Sequence, residues 1–442
     1  MLSAGETAPT APNPGALRWD CVRGMPRFFR VAPDETGHWW LADAEDRAFF
    51  CKAVHGVRAG TAGAGEVAYG PDAASVVVET AASRMRRWGF NVAGVGGDDS
   101  ARADGLAFFA NADFCRAAAT IVAPGARLPD VFAPDWPRLV AEHALTVCAP
   151  LALERALIGW IPDAELAWAQ PDVSIPLKAG SEALHDGDAR RVRPTLLQLC
   201  LSLEPSFAAY HAAWEFVLAL HGGKLPALAR AWGTPLVNKE VVRELTRTET
   251  GLATRGYLRD QTRWTREFAR RYFTSTAAAI RAADPNHLVL GARSVGPTGE
   301  AVRAEGVYPA IDVPLVNWDE LPVSATGGPV LAEDVCWTDE KFTRPASAAG
   351  LAQALRRVTT IERMVRRARA GLERVARHPA VVGYAWRQWW DEPGEQPPFA
   401  RGLVHRNGAE AREHTELLAE FNARAELLRC GARPVSAAIL SP

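Results

Sequence analysis

The chain lacks a paired-cysteine pattern. Its seven Cys (21, 51, 115, 148, 200, 336 and 430) are odd in number and include no C-x-x-C. That argues against a disulfide framework or a structural zinc site and predicts reduced, mostly packed thiols. An excess of charge is also missing: the formal net charge is −1, so neither a nucleic-acid groove nor an anionic membrane surface is the expected partner. No apolar run reaches the roughly 18 residues that a membrane-spanning helix needs. The opening "MLSAGETAPTAPNPGALRWD" has no basic n-region and no apolar h-region, unlike a signal peptide, so a cytoplasmic protein is expected.

What is present fits a folded α/β protein. Hydrophobic residues make up 48% and charged residues 23% of 442 positions, enough for one large barrel or two ordinary domains. Eight short apolar runs end in polar or aromatic residues: 48–57, 89–97, 105–111, 156–165, 286–294, 310–318, 328–337 and 380–390. Amphipathic helical stretches lie between them, among them 73–87, 261–283 and 350–377. Eight buried strands each followed by a helix predict a (β/α)8 TIM barrel. Residues 1–36 read as a leader and N-terminal extension, 37–430 as the catalytic barrel and 431–442 as a tail. The connection after the fourth strand, about 170–258, is too long for a plain barrel and reads as a helical insertion. It is expected to cover the C-terminal face and wall the active site.

Catalytic residues of such barrels project from the C-terminal strand ends. Those positions hold His55, Asn111, Asp163, Glu165, Arg293, Asn317, Glu333, Asp334, Trp386, Gln388, Trp390 and Asp391. Glu165 ends strand four and Glu333 ends strand seven, on roughly opposite walls of an eight-strand ring. Two carboxyls about 5–5.5 Å apart across a barrel mouth are what a retaining glycosidase needs. Arg293 and His55 are expected to hold one of them ionised, since a nearby cation lowers a carboxylate pKa. Fifteen tryptophans supply flat rings for the apolar face of a sugar, and Trp160 and Trp318 join the strand-end set as candidate substrate contacts.

Four stretches then carry a resemblance: "GHWWLADAEDRAFFCKAVHGV", "GFNVAGVGG", "LIGWIPDAELAW", and "REFARRYFTSTAAAIRAADPNHLVLGAR" followed by "PVLAEDVCW" and "VVGYAWRQWWDEP". In order and spacing they resemble the clan A glycoside hydrolases, most closely the β-agarase family, glycoside hydrolase family 50. "ALARAWGTPL" in the insertion resembles the related β-galactosidases. The resemblance implies Glu165 as acid/base, Glu333 as nucleophile and Trp386 as a platform beneath the sugar. It implies a β-linked, galactose-containing oligosaccharide as substrate. No His, Cys and carboxylate set has the spacing of a tight metal site, so no metal or other cofactor is expected. Ala164 departs from the family, which has Asn there to bond the sugar 2-hydroxyl. With no export signal and no separate binding module expected, small oligosaccharides cleaved from a chain end are the anticipated substrates. Self-association is left open.

Competing signals are weaker. "ARSVG" (292–296) approaches an esterase elbow, but Gly296-Pro297-Thr298-Gly299 follows where a helix must begin. "GVGGDD" (94–99) would set two aspartates against a pyrophosphate. A catalytically silent carbohydrate-binding barrel, or a β-glycosidase of another sugar specificity, stands as the alternative.

Overall fold

The computed structural model describes residues 17–58, 80–98, 102, 104–123, 125–169, 194–247, 254–295, 298–306, 309–318, 320–321, 328–337, 361–393, 395 and 400–431. Strands form where β-branched and aromatic residues are bounded by turn formers. The first three, β1 (Arg30–Pro33), β2 (Trp39–Ala42) and β3 (Ala48–Phe49), make an antiparallel meander. The β1–β2 turn is held by Asp34, whose Oδ1 accepts from the backbone N–H of Thr36 (2.8 Å) and of His38 (3.0 Å). Gly37 supplies the left-handed φ of +86° that this turn requires.

The chain continues through β4 (Cys51–Val54), β5 (Val92–Ala93) and β6 (Ala107–Asn111). A hairpin of β7 (Thr120–Ala123) and β8 (Ala126–Pro129) follows, then β9 (Leu157–Ile161) and β10 (Ala167–Trp168). The last six are β11 (Leu288–Val289), β12 (Leu315–Asn317), β13 (Val330–Val335), β14 (Val381–Trp386), β15 (Gln388–Trp390) and β16 (Gly402–Val404). Each of the eight apolar runs read from the sequence holds one strand of a single parallel sheet, ordered β11-β9-β6-β5-β4-β14-β13-β12. The sheet curls. An isolated parallel bridge, Leu290↔Val313, links the segments beside its two end strands. Unforeseen in the sequence, β10 adds to the β7–β8 hairpin as a small antiparallel annex.

Side chains alternate along a strand; here the count slips at Gly159 and Gly383, where the register shifts, and the strands still build two layers. Ala53, Val92, Phe109, Ile158, Ile161, Leu331, Val382 and Ala385 fill the inside of the curl, joined by Phe29, Val31 and Leu41 of the meander region. Val54, Phe108, Leu157, Trp160, Ala332, Val335, Tyr384 and Trp386 face the surrounding helices.

Those helices are α1 (Ala81–Arg87), α2 (Trp136–Val147), α3 (Leu196–Ser202), α4 (Ala208–Leu220), α5 (Leu225–Trp232) and α6 (Glu240–Arg247). After them come α7 (Arg255–Ala283), α8 (Gly299–Glu305), α9 (Ile361–Arg377), α10 (Arg412–Asn422) and α11 (Ala425–Cys430). Thr80, Thr195 and Thr254 cap α1, α3 and α7, each accepting a backbone N–H from the first turn. Such a cap contributes about 1 kcal/mol. Of the long connection after β9, residues 170–193 and 248–253 lie outside the described residues. The described part from 196 to 247 is mostly helical and is pinned on α7. Gln261 accepts from the Leu197 N–H (2.8 Å), while buried Asp260 bonds His221 (2.7 Å) and Trp232 (2.9 Å). No described residue of this insertion lines the main cavity. The expected active-site wall is therefore not among the described residues, because these helices spend their apolar faces on α7.

Candidate active site at the strand ends

A cavity of about 620 Å³ opens at the C-terminal ends of the parallel strands. The site residues His55, Glu165, Arg293, Asn317, Glu333 and Gln388 all line it. They come from β4, β9, β11, β12, β13 and the β14–β15 junction, so six separated parts of the sequence meet there.

Glu333 is the centre of its charge. The carboxylate is 5% exposed. Arg293 donates from Nε to its Oε1 at 2.9 Å. Nε2 of His55 lies 2.7 Å from the same oxygen, a close polar contact outside hydrogen-bond alignment. The Val95 backbone N–H donates to Nδ1 of His55 (3.1 Å), which leaves Nε2 as the nitrogen that carries the proton. Burial pushes the Glu333 carboxyl up, but His55 and the Arg293 guanidinium outweigh it and hold it below the ordinary carboxylate range. Its second oxygen, Oε2, is buried with no hydrogen-bond partner.

The neighbouring Asp334 shares Arg293, accepting from Nη2 at 2.6 Å. Successive strand residues ordinarily point to opposite faces. Here the β13–β14 register shifts between Ala332 and Val335, and Asp334 has a left-handed φ of +56°. This bulge turns both carboxylates toward one guanidinium. Strain of that kind, about 1–3 kcal/mol for a non-glycine residue, gathers at functional sites.

Glu165 is exposed on the cavity, and Ala164 beside it is half-buried against the inner layer. Two residues earlier, Asp163 is fully buried. It accepts from the Cys115 N–H (2.8 Å) and the Tyr272 hydroxyl (2.5 Å), and desolvation pushes its pKa to about 6. It ties the β9 end to α7 and does not line the cavity.

Several expected sugar contacts also lie elsewhere. Trp160, Trp318 and Trp386 take the outward positions of their strands and are buried among helices. Trp160 bonds Asp284 (2.7 Å), Trp318 packs on Gly371, and Trp386 sits against Trp337 while bonding the Arg401 carbonyl (3.0 Å). None is a platform in this cavity. Trp390 is half-buried against the same outer layer, and Asp391 is committed to the Gly402 N–H (3.0 Å) and His405 (2.8 Å). Asn111 faces inward but lines an adjoining cavity of about 250 Å³, where its Oδ1 is buried without a hydrogen-bond partner.

Asp334, from the strand-end set, also lines the cavity, as do polar residues that were not singled out: Arg58, Arg387, Ser294, Thr298, Arg303, Glu320 and Glu392. Arg387 was not legible by alternation, because the inward residues Val382 and Ala385 are three apart and the count slips at Gly383.

Among the described residues, no group of three or more His, Cys, Asp or Glu is placed to hold a metal, and no helix is long and apolar enough to cross a membrane.

Comparison with known proteins agrees with the sequence resemblance. The chain is 24% identical to β-agarase A of Vibrio sp. (strain JT0107) over 85% of its own length and 43% of that protein. It thus spans less than half of the curated relative. Among solved structures it matches an exo-β-agarase with a TM-score of 0.61, 18% identity and coverage of 92% of this chain and 66% of that one. The agarase AgWH50C matches with a TM-score of 0.56, 17% identity and the same coverages. No family model matches the sequence. The chain resembles the β-agarases of glycoside hydrolase family 50 in sequence and shares their fold.

Proposed function

We propose that the curled sheet is a (β/α)8 barrel and that the chain is a retaining β-glycosidase acting on β-linked, galactose-containing oligosaccharides. One observation carries this reading: Glu333 is gripped through Oε1 by Arg293 and His55, its Oε2 is uncommitted, and Glu165 stands on the same cavity.

In the first step Oε2 of Glu333 attacks the anomeric carbon. The glycosidic C–O bond breaks as Glu165 donates a proton to the leaving oxygen, and a glycosyl ester on Glu333 results. In the second step Glu165 takes a proton from water. The resulting oxygen nucleophile attacks the same carbon and releases Glu333 as a carboxylate. Positive charge builds on the ring in both transition states, and the anions of Glu333 and Asp334 oppose it. Cleavage from a chain end is part of the proposed reading. Proton NMR of the first-formed sugar tests the proposal: the β-anomer is expected, and an α-anomer would end it.

A further inference from the structure

The charges of the cavity do not all cancel among themselves. Arg293 serves Glu333 and Asp334. Arg303 pairs with Glu320 at 2.7 Å, and Glu392 pairs with Arg401 at 2.7 Å. Glu165 has to remain free to move a proton. Arg293 and Arg387 together face the two carboxylates of Glu333 and Asp334, so one guanidinium, that of Arg58, is in excess, and Arg387 is held only by a long ion pair. Arg58 donates from Nε and Nη2 only to the Gly96 carbonyl (3.2 and 3.0 Å) and meets no carboxylate among the described residues. Arg387 approaches Oδ2 of Asp334 no closer than 3.8 Å, outside hydrogen-bond range.

We infer that the cavity takes a glycoside whose sugar carries an anionic group, a carboxylate or a sulfate ester, received by Arg58 and Arg387. The inference rests on the glycosidase reading above. Arg58 follows β4 and Arg387 follows β14, and these strands are direct neighbours, paired in parallel from Cys51↔Gly383 to Val54↔Trp386. Two guanidiniums therefore enter from one side of the cavity. Glu165 follows β9, three strands away from β4 in the sheet order.

A neutral sugar is met by groups that both donate and accept, such as Asn317 and Gln388. A guanidinium donates only, in a planar fork that matches carboxylate or sulfate oxygens. Arg387 has a side chain only 26% exposed. Removing its charge from water against a partner 3.8 Å away is unfavourable, and a bound anion offsets that cost. Arg58 is held in position by a neutral carbonyl, which orients it without neutralising it.

The test compares 4-nitrophenyl β-galactoside, the matching β-galacturonide and the 6-sulfated β-galactoside, on wild type, Arg58→Gln and Arg387→Gln. Binding of each parent sugar to Glu333→Gln is measured in parallel by calorimetry. One acidic substrate is expected to exceed the neutral one in kcat/KM by about tenfold or more, and each Arg variant should reduce that ratio by a similar factor. Raised salt should shrink the preference. Which acidic substrate wins separates carboxylate from sulfate. Cleavage without acid preference, or variants that lower both rates in proportion, would overturn the inference and leave the glycosidase standing. An acidic sugar that binds but is never cleaved would keep the anion site and remove the glycosidase reading. Failure of every sugar to bind or react would overturn both.

Discussion

Arg293 holds Glu333 at 2.9 Å with one edge of its guanidinium and Asp334 at 2.6 Å with another. One cation thus braces two consecutive carboxylates, and Glu333 is the one with a buried oxygen that has no hydrogen-bond partner. The pairing sets both the ionisation and the direction of the group proposed to attack.

Arg293→Gln should therefore shift the pH profile. Burial raises the Glu333 pKa and Arg293 helps to lower it, so loss of the guanidinium lets desolvation dominate. Glu333 attacks only when ionised, that is, above its pKa. The acid limb of kcat/KM is expected to move to higher pH, with stability falling by about 3 kcal/mol as a buried pair is broken. A profile that stays in place while activity drops would remove Arg293 from this role.

The two glutamates should fail in different ways. Glu333→Gly should abolish turnover of every glycoside. Glu165→Ala should slow unactivated substrates by about 10²–10⁴-fold yet spare aryl glycosides whose leaving group needs no proton. Azide should then speed turnover by occupying the space of the lost carboxylate. Equal losses on both substrate types would count against Glu165 as the acid.

Asp163 gives the fold its own pH dependence. Its pKa rises from the ordinary 3.8 to about 6 on folding. The native state therefore holds a proton that the unfolded chain has released between those values. Stability is uncompromised below about pH 4 and falls as pH climbs to about 6, by roughly 3 kcal/mol in all. In Asp163→Asn the term disappears. The Tm difference, variant minus wild type, should grow from pH 4 to pH 7 in thermal melts, and a constant difference would refute the assignment.

Trp386→Ala separates packing from substrate contact. The ring is fully buried against Trp337 and His414. Denaturant unfolding should show a loss of about 3–5 kcal/mol, while the milder Trp386→Phe should leave KM little changed. A large rise in KM for Trp386→Phe would return this tryptophan to the site.

Ala164→Asn addresses the departure from the family pattern. Ala164 neighbours Glu165 and packs on the inner layer. If the natural substrate carries a modified group there, Asn should impair it while helping or sparing a plain β-galactoside. Equal impairment of both would argue against a substrate-shaped pocket at this position.

The sequence by itself determined where the strands of the parallel sheet lie and which residues stand at their ends. Short apolar runs bounded by turn formers allow little else, and His55, Glu165, Arg293, Asn317, Glu333 and Gln388 follow from that position alone. The tryptophans could not be placed by alternation: Ile158 and Val382 face inward, and a regular count from them would turn Trp160 and Trp386 inward too, but the count slips at Gly159 and Gly383 and both rings face out. Only the tertiary structure decided which polar groups are occupied. Asp163 and Asp391 carry the same chemistry as Glu165, yet Tyr272, distant in the chain, and His405, across the β15–β16 connection, consume their oxygens. The sharing of Arg293 by Glu333 and Asp334 was hidden for another reason. It depends on one left-handed residue at a bulge, and regular alternation would have sent those two carboxylates to opposite faces of the sheet.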